Sequence, residues 1–566
     1  MNKRTFRLNA RLLCSATALA VALGAAHAQH TDMHDARALR DDPAAASAPL
    51  APKLTGLGKH HLPVTTRSEP AQAFVDQGML LTYGFNHQEA LRAFKEAARL
   101  DPECAMAYWG WALVLGPNLN LPMDASVAPQ AWDAIGRAVA LKDGVTPKER
   151  MLIEALAKRY APEEPEDRGA LNAAYALAMK GIAAKFPDDP DVATLYAAAL
   201  MNQSPWNYWN RDGSPREKTP AILAQLEHAM KLDPKHEGAL HYYIHAVEPV
   251  DPDRGVAAAD TLLTLAPGAG HLVHMPSHIY MQVGRYDEAY DANAEASRAD
   301  EGYIAQCRAQ GIYPLGYYPH NVHFQAWAAI LQGRSEDALR LSRKVAAKVP
   351  ADMHGDSWAL YQTFLSMPLF TLTRFGRWEE ILEEAQPPDQ ALFWRGAWHY
   401  ARGLAFVRTG QLDDGARELK LIDAICTSEE ATQQIVGFST TDRVLTIARE
   451  VLHGELLAAK GDHDGAIAHL SRAVRIEDGM LYSEPPTWYY PVRHTLAAVL
   501  IEAGYPDEAE TLYWQELDHH RGNGWSLYGL WQSLKAQGRD DEAAGVRAQF
   551  DASWAKADVK LEGSRF

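Results

Sequence analysis

The chain has 566 residues, of which 47% are hydrophobic and 22% charged, as is ordinary for a soluble globular or repeat protein. Its formal net charge of −17 argues against general affinity for nucleic acid or for anionic membranes, and instead favours cations or basic partners. We therefore expect no nucleic-acid partner.

Residues 1–28 have the pattern of a secretory signal. Basic residues precede an apolar run from Leu12 to Leu23, and a small-x-small cleavage site ends at Ala28. The run is too short for a membrane anchor, and no later stretch has about 18 uninterrupted apolar residues. We expect cleavage after Ala28 and a periplasmic or secreted protein without an integral membrane segment. Residues 29–69, rich in Ala, Asp and Pro, lack sustained periodicity and are predicted to be flexible.

Helix-turn-helix patterns begin at about Pro70 and continue to the end of the chain. Turn glycines followed by a packing alanine recur in both halves, and no alternating strand pattern is present. The fold class is therefore predicted to be all-α, with one array over 70–350 and a second over 351–566. Three cysteines follow the signal, namely Cys104, Cys307 and Cys426, which permits at most one internal disulfide.

The first of these units resembles the tetratricopeptide repeat, a helix-turn-helix of 34 residues. The residues that carry the resemblance are Phe74, Gly78, Phe85, Ala90, Phe94, Ala97 and Pro102. The resemblance to this superfamily extends over most of residues 70–550 and implies a tetratricopeptide-like α-solenoid, an array of stacked helical hairpins. Such arrays bind ligands in a concave groove.

Histidines are concentrated in the centre of the chain. His271, His274 and His278 have the spacing i, i+3 and i+7, which places their rings on one helix face. A related pattern follows at His320 and His323, with Trp327 in the third place. His241 and His245 are also one helical turn apart.

Tetratricopeptide helices direct the second, fifth and ninth positions of a unit's first helix into the groove. With Gly284 as the inter-helix turn, the resemblance puts His271, His274 and His278 at those positions; with Gly333 as the turn, it puts His320, His323 and Trp327 there. The stretches around His278, His323 and Trp488 also resemble signatures of exported bacterial repeat proteins, which implies architecture and export only.

The histidine face predicts a site for a divalent transition metal, zinc or copper, because neutral imidazole is the commonest protein ligand for these ions. Glu248 and Cys307 are candidate further ligands, and Tyr280 and Tyr318 are candidate hydrogen-bonding groups around them. The His-Glu-x-x-His protease motif and the closed zinc patterns are absent. Four alternatives remain: a small anionic or aromatic organic ligand in the groove, a metal-dependent hydrolase or oxidoreductase, a peptide-binding or protein-binding scaffold without metal, and histidines that only stabilise helix packing.

A second candidate site lies near the C-terminus. Glu484, Trp488 and Arg493 combine a carboxylate, an aromatic ring and a guanidinium in a proline-rich entry to a helix. This set is suited to binding a peptide or carboxylate ligand. The alternative is a rigid connector in which Arg493 pairs with Glu484.

Overall fold

The computed structural model describes residues 48–307, 313–350 and 359–566, and almost all regular structure in them is α-helical. The described residues belong to two compact units. The first contains 48–279 and Ala292–Tyr318, and the second contains Tyr280–Asp291 and the described part of Pro319–Phe566. The predicted all-α class is confirmed.

The helices of the first half follow one another along the chain, with longer connections between Leu115 and Ala128 and between Met201 and Thr219. Their bounds are α1 Glu69–Tyr83, α2 His87–Leu100, α3 Ala105–Leu115, α4 Ala128–Leu141, α5 Pro147–Ala157, α6 Gly169–Lys185, α7 Pro190–Met201, α8 Thr219–Leu232, α9 Glu237–Val247, α10 Pro252–Leu262, α11 Gly270–His274, α12 Pro276–Gln282 and α13 Tyr286–Cys307. Short 3₁₀ helices occupy Ala125–Val127 and Lys142–Gly144, and Tyr313–Tyr317 forms a π-helical turn.

The second half continues the helical series and adds one small hairpin. Its helices are α14 Tyr318–Leu331, α15 Ser335–Ala346, α16 Ala359–Arg374, α17 Trp378–Glu383, α18 Leu392–Arg408, α19 Leu412–Cys426, α20 Glu429–Gln433, α21 Thr441–Ala459, α22 His463–Glu477, α23 Val492–Glu502, α24 Pro506–His519, α25 Gly524–Ala536 and α26 Asp540–Ser553. Strands β1 Ile435–Val436 and β2 Ser439–Thr440 pair antiparallel, with Ile435 opposite Thr440.

Consecutive helices pack against each other in pairs, as the tetratricopeptide resemblance implies. In the first repeat, Gly78 of α1 and Gly110 of α3 both contact the ring of Phe94 on α2, and a Cβ on either glycine would collide with that ring. The turn glycines Gly410 and Gly461 have φ of 79° and 82°, a left-handed conformation that glycine adopts at little cost. The helix-turn-helix organisation predicted from the sequence is therefore confirmed.

Residues 48–68 lack helices and strands but are bound to the first repeats. Leu54 N–H donates to Gln77 at 2.9 Å, Thr65 N–H donates to Glu149 at 2.6 Å, and Gly268 N–H donates to the Gly56 carbonyl at 2.8 Å. The sequence predicts a flexible segment over 29–69, and for 48–68 this expectation is wrong. These backbone groups find their partners on distant helices, which local periodicity does not reveal.

The described residues include the three cysteines that follow the predicted signal segment, but not the segment itself. The predicted signal, residues 1–28, lies outside the described residues, and export stays a prediction. Cys104, Cys307 and Cys426 are free thiols. None of the helices in the described ranges is long and apolar enough to cross a lipid bilayer.

Candidate metal centre

Two helices of the first unit bring three histidine rings together. His241 and His245 lie one turn apart on α9, and His271 lies on α11. Each ring offers a nitrogen that is within 4.8 Å of a nitrogen on both of the others. All three side chains are buried, with exposed fractions of 0%, 2% and 2%. The cluster is therefore an interior site.

Hydrogen bonds fix the protonation of two of these rings. His241 Nδ1 lies 2.5 Å from the Tyr83 carbonyl oxygen, and His245 Nδ1 lies 3.0 Å from Glu248 Oε1. Both oxygens are acceptors, so each Nδ1 carries the hydrogen and each Nε2 keeps its lone pair. Neither Nε2 atom has a hydrogen-bond partner among the described residues.

The electrostatics keep both rings neutral. Burial, reinforced by the neighbouring His245, holds the pKa of His241 well below its usual value. Burial also lowers the pKa of His245, outweighing the hydrogen bond to Glu248 that acts in the opposite direction. Neutral rings with free Nε2 lone pairs are the form in which histidine binds a metal ion.

Glu248 joins the triad to a second pair of histidines. Its Oε2 lies 2.5 Å from His278 Nδ1, and His278 Nε2 lies 2.9 Å from His274 Nε2. His274 Nδ1 lies 2.6 Å from Asn293 Oδ1 and therefore donates to it. Although burial alone would raise it, contact with His278 and His245 lowers the pKa of Glu248 to about 2. The carboxylate is thus ionised and orients His245.

Two strained aromatic residues contact the triad. Phe85 and Trp206 are the non-glycine residues with positive φ in the described ranges, at 55° and 60°. The Phe85 ring lies 4.6, 6.0 and 5.2 Å from the rings of His241, His245 and His271, measured between centroids. Trp206 meets His245 edge-on at 4.9 Å. Such backbone conformations cost of order 1–3 kcal/mol each and cluster at functional sites.

A loop between α3 and α4 holds this aromatic shell together. Trp206 Nε1–H donates to Asn120 Oδ1 at 3.2 Å, and Asn120 Nδ2–H donates to Tyr317 OH at 3.4 Å. The Tyr317 ring in turn packs edge-on against His271 at 5.0 Å. Asn120 therefore connects Trp206 and Tyr317, two of the aromatic walls of the triad.

A second cluster of possible ligands has a different character. His60, His236 and Tyr83 all lie 3.0–3.2 Å from Asp191 Oδ1. His236 Nδ1 accepts from Ala239 N–H, so its hydrogen is on Nε2 and points to Asp191. His236 and Tyr83 both donate to this carboxylate, which makes the cluster a hydrogen-bonding centre beside His60.

No protein-family model matches the sequence, and no curated protein matches it. Among solved structures, the human IFIT1 dimer with m7Gppp-AAAA is 13% identical over 86% of this chain and 90% of that chain, with a TM-score of 0.31. Yeast Tom70 is 14% identical over 86% and 92% of the two chains, with a TM-score of 0.29. The P58(IPK) TPR domain is 12% identical over 83% and 99%, with a TM-score of 0.21. Identities and TM-scores this low give no ligand or activity for this chain.

The structure divides the predicted histidine set into smaller groups. His241, His245 and His271 form the triad, whereas His274 and His278 are hydrogen-bonded to each other. The rings of His271, His274 and His278, which the sequence places at groove positions, are buried, since all three are at most 3% exposed. Helix α11 ends at His274 and α12 begins at Pro276, since proline cannot donate the next helical hydrogen bond.

His320, His323 and Trp327 belong to the second unit. There His320 packs edge-on against Phe324 at 5.0 Å, His323 against Phe364 at 5.9 Å, and Trp327 against His520 at 6.1 Å. Burial lowers the pKa of His323 to about 3. Their participation in a site with His271 stays a prediction.

The remaining candidates around the histidines have other contacts. Glu248 orients His245 through Nδ1 and is an outer group of the triad. The Cys307 thiol hydrogen-bonds with Glu89, and burial together with Glu89 raises its pKa to about 12, which disfavours the metal-binding thiolate. Tyr318 OH donates to Glu301 at 2.6 Å, and the Tyr280 ring is covered by Arg285 at 4.2 Å.

The C-terminal candidate site is a packed connector. Arg493 pairs with Asp478 through two hydrogen bonds of 2.8 Å, so the predicted Arg493–Glu484 pair is wrong. Glu484 instead accepts from Gln282. Trp488 is 2% exposed and packs against Tyr400 at 5.2 Å, so its ring is core and not a ligand surface.

Phe85, Trp206 and Asn120 are site residues that the sequence pattern does not indicate. The repeat pattern predicts only a packing role for Phe85, and Trp206 and Asn120 lie in irregular segments between helices. The unusual length and composition of those two segments, 116–122 and 204–218, was the available signal, because long loops in compact repeats often carry function.

Proposed function

We propose that this helical-repeat protein binds a divalent transition metal ion through His241, His245 and His271. One observation carries the proposal: two fully buried imidazoles present Nε2 lone pairs that no described residue satisfies, while their Nδ1 atoms are held by acceptors. A buried acceptor without a partner costs about 1–3 kcal/mol, and a bound cation removes that cost.

The donor set fits zinc or copper. Metal–nitrogen bonds of about 2.0–2.1 Å place the nitrogens around one ion within about 4 Å of each other, and the nitrogens of the three rings lie within 4.8 Å of one another. The ionised Glu248 behind His245 provides the carboxylate–histidine pair that commonly supports metal ligands. Three neutral ligands leave a coordination position for a water or another small ligand.

Burial of the three rings also argues against one alternative function, peptide recognition. A peptide partner cannot contact side chains that are at most 2% exposed, so the triad does not act as a peptide-recognition surface in this conformation. Metal binding requires only a small ion to reach the rings.

We further propose export to the periplasm on the basis of residues 1–28. Mass spectrometry of the mature N-terminus, expected at Gln29, tests this.

Measuring the metal bound by the purified protein tests the proposed metal site. The untagged protein, freed of metal and titrated with Zn²⁺ or Cu²⁺, should bind one ion per chain at the triad, measured by elemental analysis and calorimetry. His241→Ala and His245→Ala should each lose most of the affinity, and a chelator should lower the Tm of the wild type more than that of either variant. His399→Ala is the matched control, because His399 is equally buried and donates to Glu418 at 2.6 Å. Equal binding by wild type and both triad variants would refute the proposal.

A further inference from the structure

A separate cavity of about 130 Å³ lies beside the triad in the first unit. It is lined by α2, α3 and the segment that connects α3 to α4, and it is partly open to solvent. Most of its wall is apolar, and the lining includes Leu91, Val114, Leu121, Met123, Phe85 and Tyr313. The mechanism of metal binding does not use this space.

The size of the cavity sets the size of its occupant. An apolar cavity of about 150 Å³ engineered in another protein binds benzene, so about 130 Å³ suits a molecule of roughly six to eight non-hydrogen atoms. A whole nucleotide or sugar exceeds this volume. The occupant is therefore a small molecule.

The polar groups of the wall are few and largely engaged. Asn118 Nδ2–H donates to His87 Nδ1 at 3.1 Å, and burial lowers the pKa of His87 to about 4, so this ring is neutral at pH 7. Asn86 accepts from the Glu89 N–H, and Asp124 Oδ1 accepts from the Ser126 N–H at 2.8 Å. Asp124 is the one acidic residue of the lining, and basic side chains other than the neutral His87 are absent from it.

Two wall residues also belong to the surroundings of the triad. Phe85 packs on all three imidazoles, and Tyr313 OH accepts a hydrogen bond from His271 N–H at 3.3 Å. A molecule in the cavity thus contacts the side chains that hold His241, His245 and His271 in place. Phe85 therefore contacts both the cavity and the three imidazoles.

We propose that this cavity is a binding site for a small, uncharged, largely apolar molecule of about benzene size with at most one hydrogen-bonding group. The site is distinct from the metal triad, since its lining includes Phe85 but none of the three triad histidines. An apolar wall favours such a molecule through burial of its surface, whereas a charged analogue loses hydration without a matching partner.

Three probes of one size test the chemical class: benzyl alcohol, benzylamine and benzoate. Ligand-observed NMR and calorimetry should show benzyl alcohol binding about tenfold or more tightly than either charged probe, because burial of a charge is costly. Tighter binding of benzylamine would show that Asp124 selects a cation and would overturn the uncharged class. Absence of binding by all three would overturn the site.

Variants locate the binding and separate it from the metal proposal. Val114→Phe and Leu121→Trp fill the cavity from a helix and from the loop, and either should abolish benzyl alcohol binding; Leu121 is the second choice if Val114→Phe fails to fold. Leu177→Trp, at a residue that is 72% exposed on α6, is the control and should bind normally. The double variant His241→Ala/His245→Ala should keep the probe site, so failure of metal binding leaves this proposal testable. Unchanged binding in both filled variants would refute it.

Discussion

His245 donates from Nδ1 to Glu248 at 3.0 Å, and this hydrogen bond leaves the lone pair on Nε2, which has no partner among the described residues. The other oxygen of the same carboxylate, Oε2, lies 2.5 Å from His278 Nδ1. One buried acid on α9's C-terminal cap therefore determines the tautomer of a triad histidine and connects it to a second histidine pair. Both the acid and the rings lie within a single unit of the fold.

Glu248→Gln should weaken metal binding about 10-fold to 100-fold without removing a ligand, as loss of outer-shell partners usually does. The amide is a weaker acceptor for His245 and no longer carries the charge that the histidine pair contacts. Calorimetric titration with Zn²⁺ measures the change. Glu450→Gln is the control, since buried Glu450 pairs with His469 at 2.7 Å in the second unit. An affinity for Zn²⁺ that matches the wild type would show that Glu248 does not position the triad.

Phe85→Ala should speed release of bound metal to a chelator, by about tenfold or more if the ring acts as a lid on the triad. The Phe85 ring covers all three imidazoles, and alanine opens that face without changing the ligands. Stopped-flow transfer of Zn²⁺ to a chromophoric chelator gives the rate. Phe94→Ala removes a fully buried ring that contacts Gly78 and Gly110, and serves as the control for general loss of stability. Equal acceleration by both variants would assign the effect to destabilisation.

The fold could be predicted from local pattern, because each helical hairpin carries its own periodicity and turn glycine. The i, i+4 pair His241 and His245 was likewise visible, since one helix places both rings on the same side. The pattern was misleading at His274 and His278. Their spacing suggested one ligand set with His271, but Pro276 divides the helix and the two rings bond to each other.

Different groups contact the triad histidines and the other histidines, and these groups come from distant parts of the chain. Tyr83 and Phe85 end the first helix, Trp206 follows α7, and Asn293 lies on α13. Each of these residues contacts a histidine that is distant from it in the sequence, and the spacing of residues along the chain does not reveal such contacts. The same reason explains the mispredicted partner of Arg493: Asp478 and Glu484 are both near in sequence, and only the packing of α22 and α23 decides between them.

Trp488→Ala should destabilise the protein by about 3–5 kcal/mol, as removal of a large buried aromatic ring usually does. Trp488 is 2% exposed and packs against Phe370 at 5.7 Å and Tyr400 at 5.2 Å. Arg493→Ala should change the free energy of unfolding by only about 0–1 kcal/mol, because its partner Asp478 is half exposed. Urea unfolding measures both. Comparable losses for the two variants would contradict the connector interpretation.

Acid should destabilise the second unit through His494. This fully buried ring accepts from Arg374 Nη2–H at 2.9 Å and donates to Ser526 Oγ at 2.7 Å, so protonation would break the Arg374 bond and bury two adjacent cations. Burial, then Arg374 and His520, holds the pKa of His494 well below 6.5.

A lowered pKa in the folded state means that the unfolded chain binds the proton first. The contribution of His494 to stability is therefore complete above about pH 6.5 and declines as the pH falls below it, by up to about 1.4 kcal/mol per pH unit. His494→Gln keeps one acceptor and one donor but does not titrate, so its free energy of unfolding should fall less steeply between pH 7.5 and 5 than that of the wild type. His519→Gln, at an exposed position, should follow the wild type. Parallel pH profiles for wild type and His494→Gln, measured by urea unfolding, would show that His494 does not control this acid sensitivity.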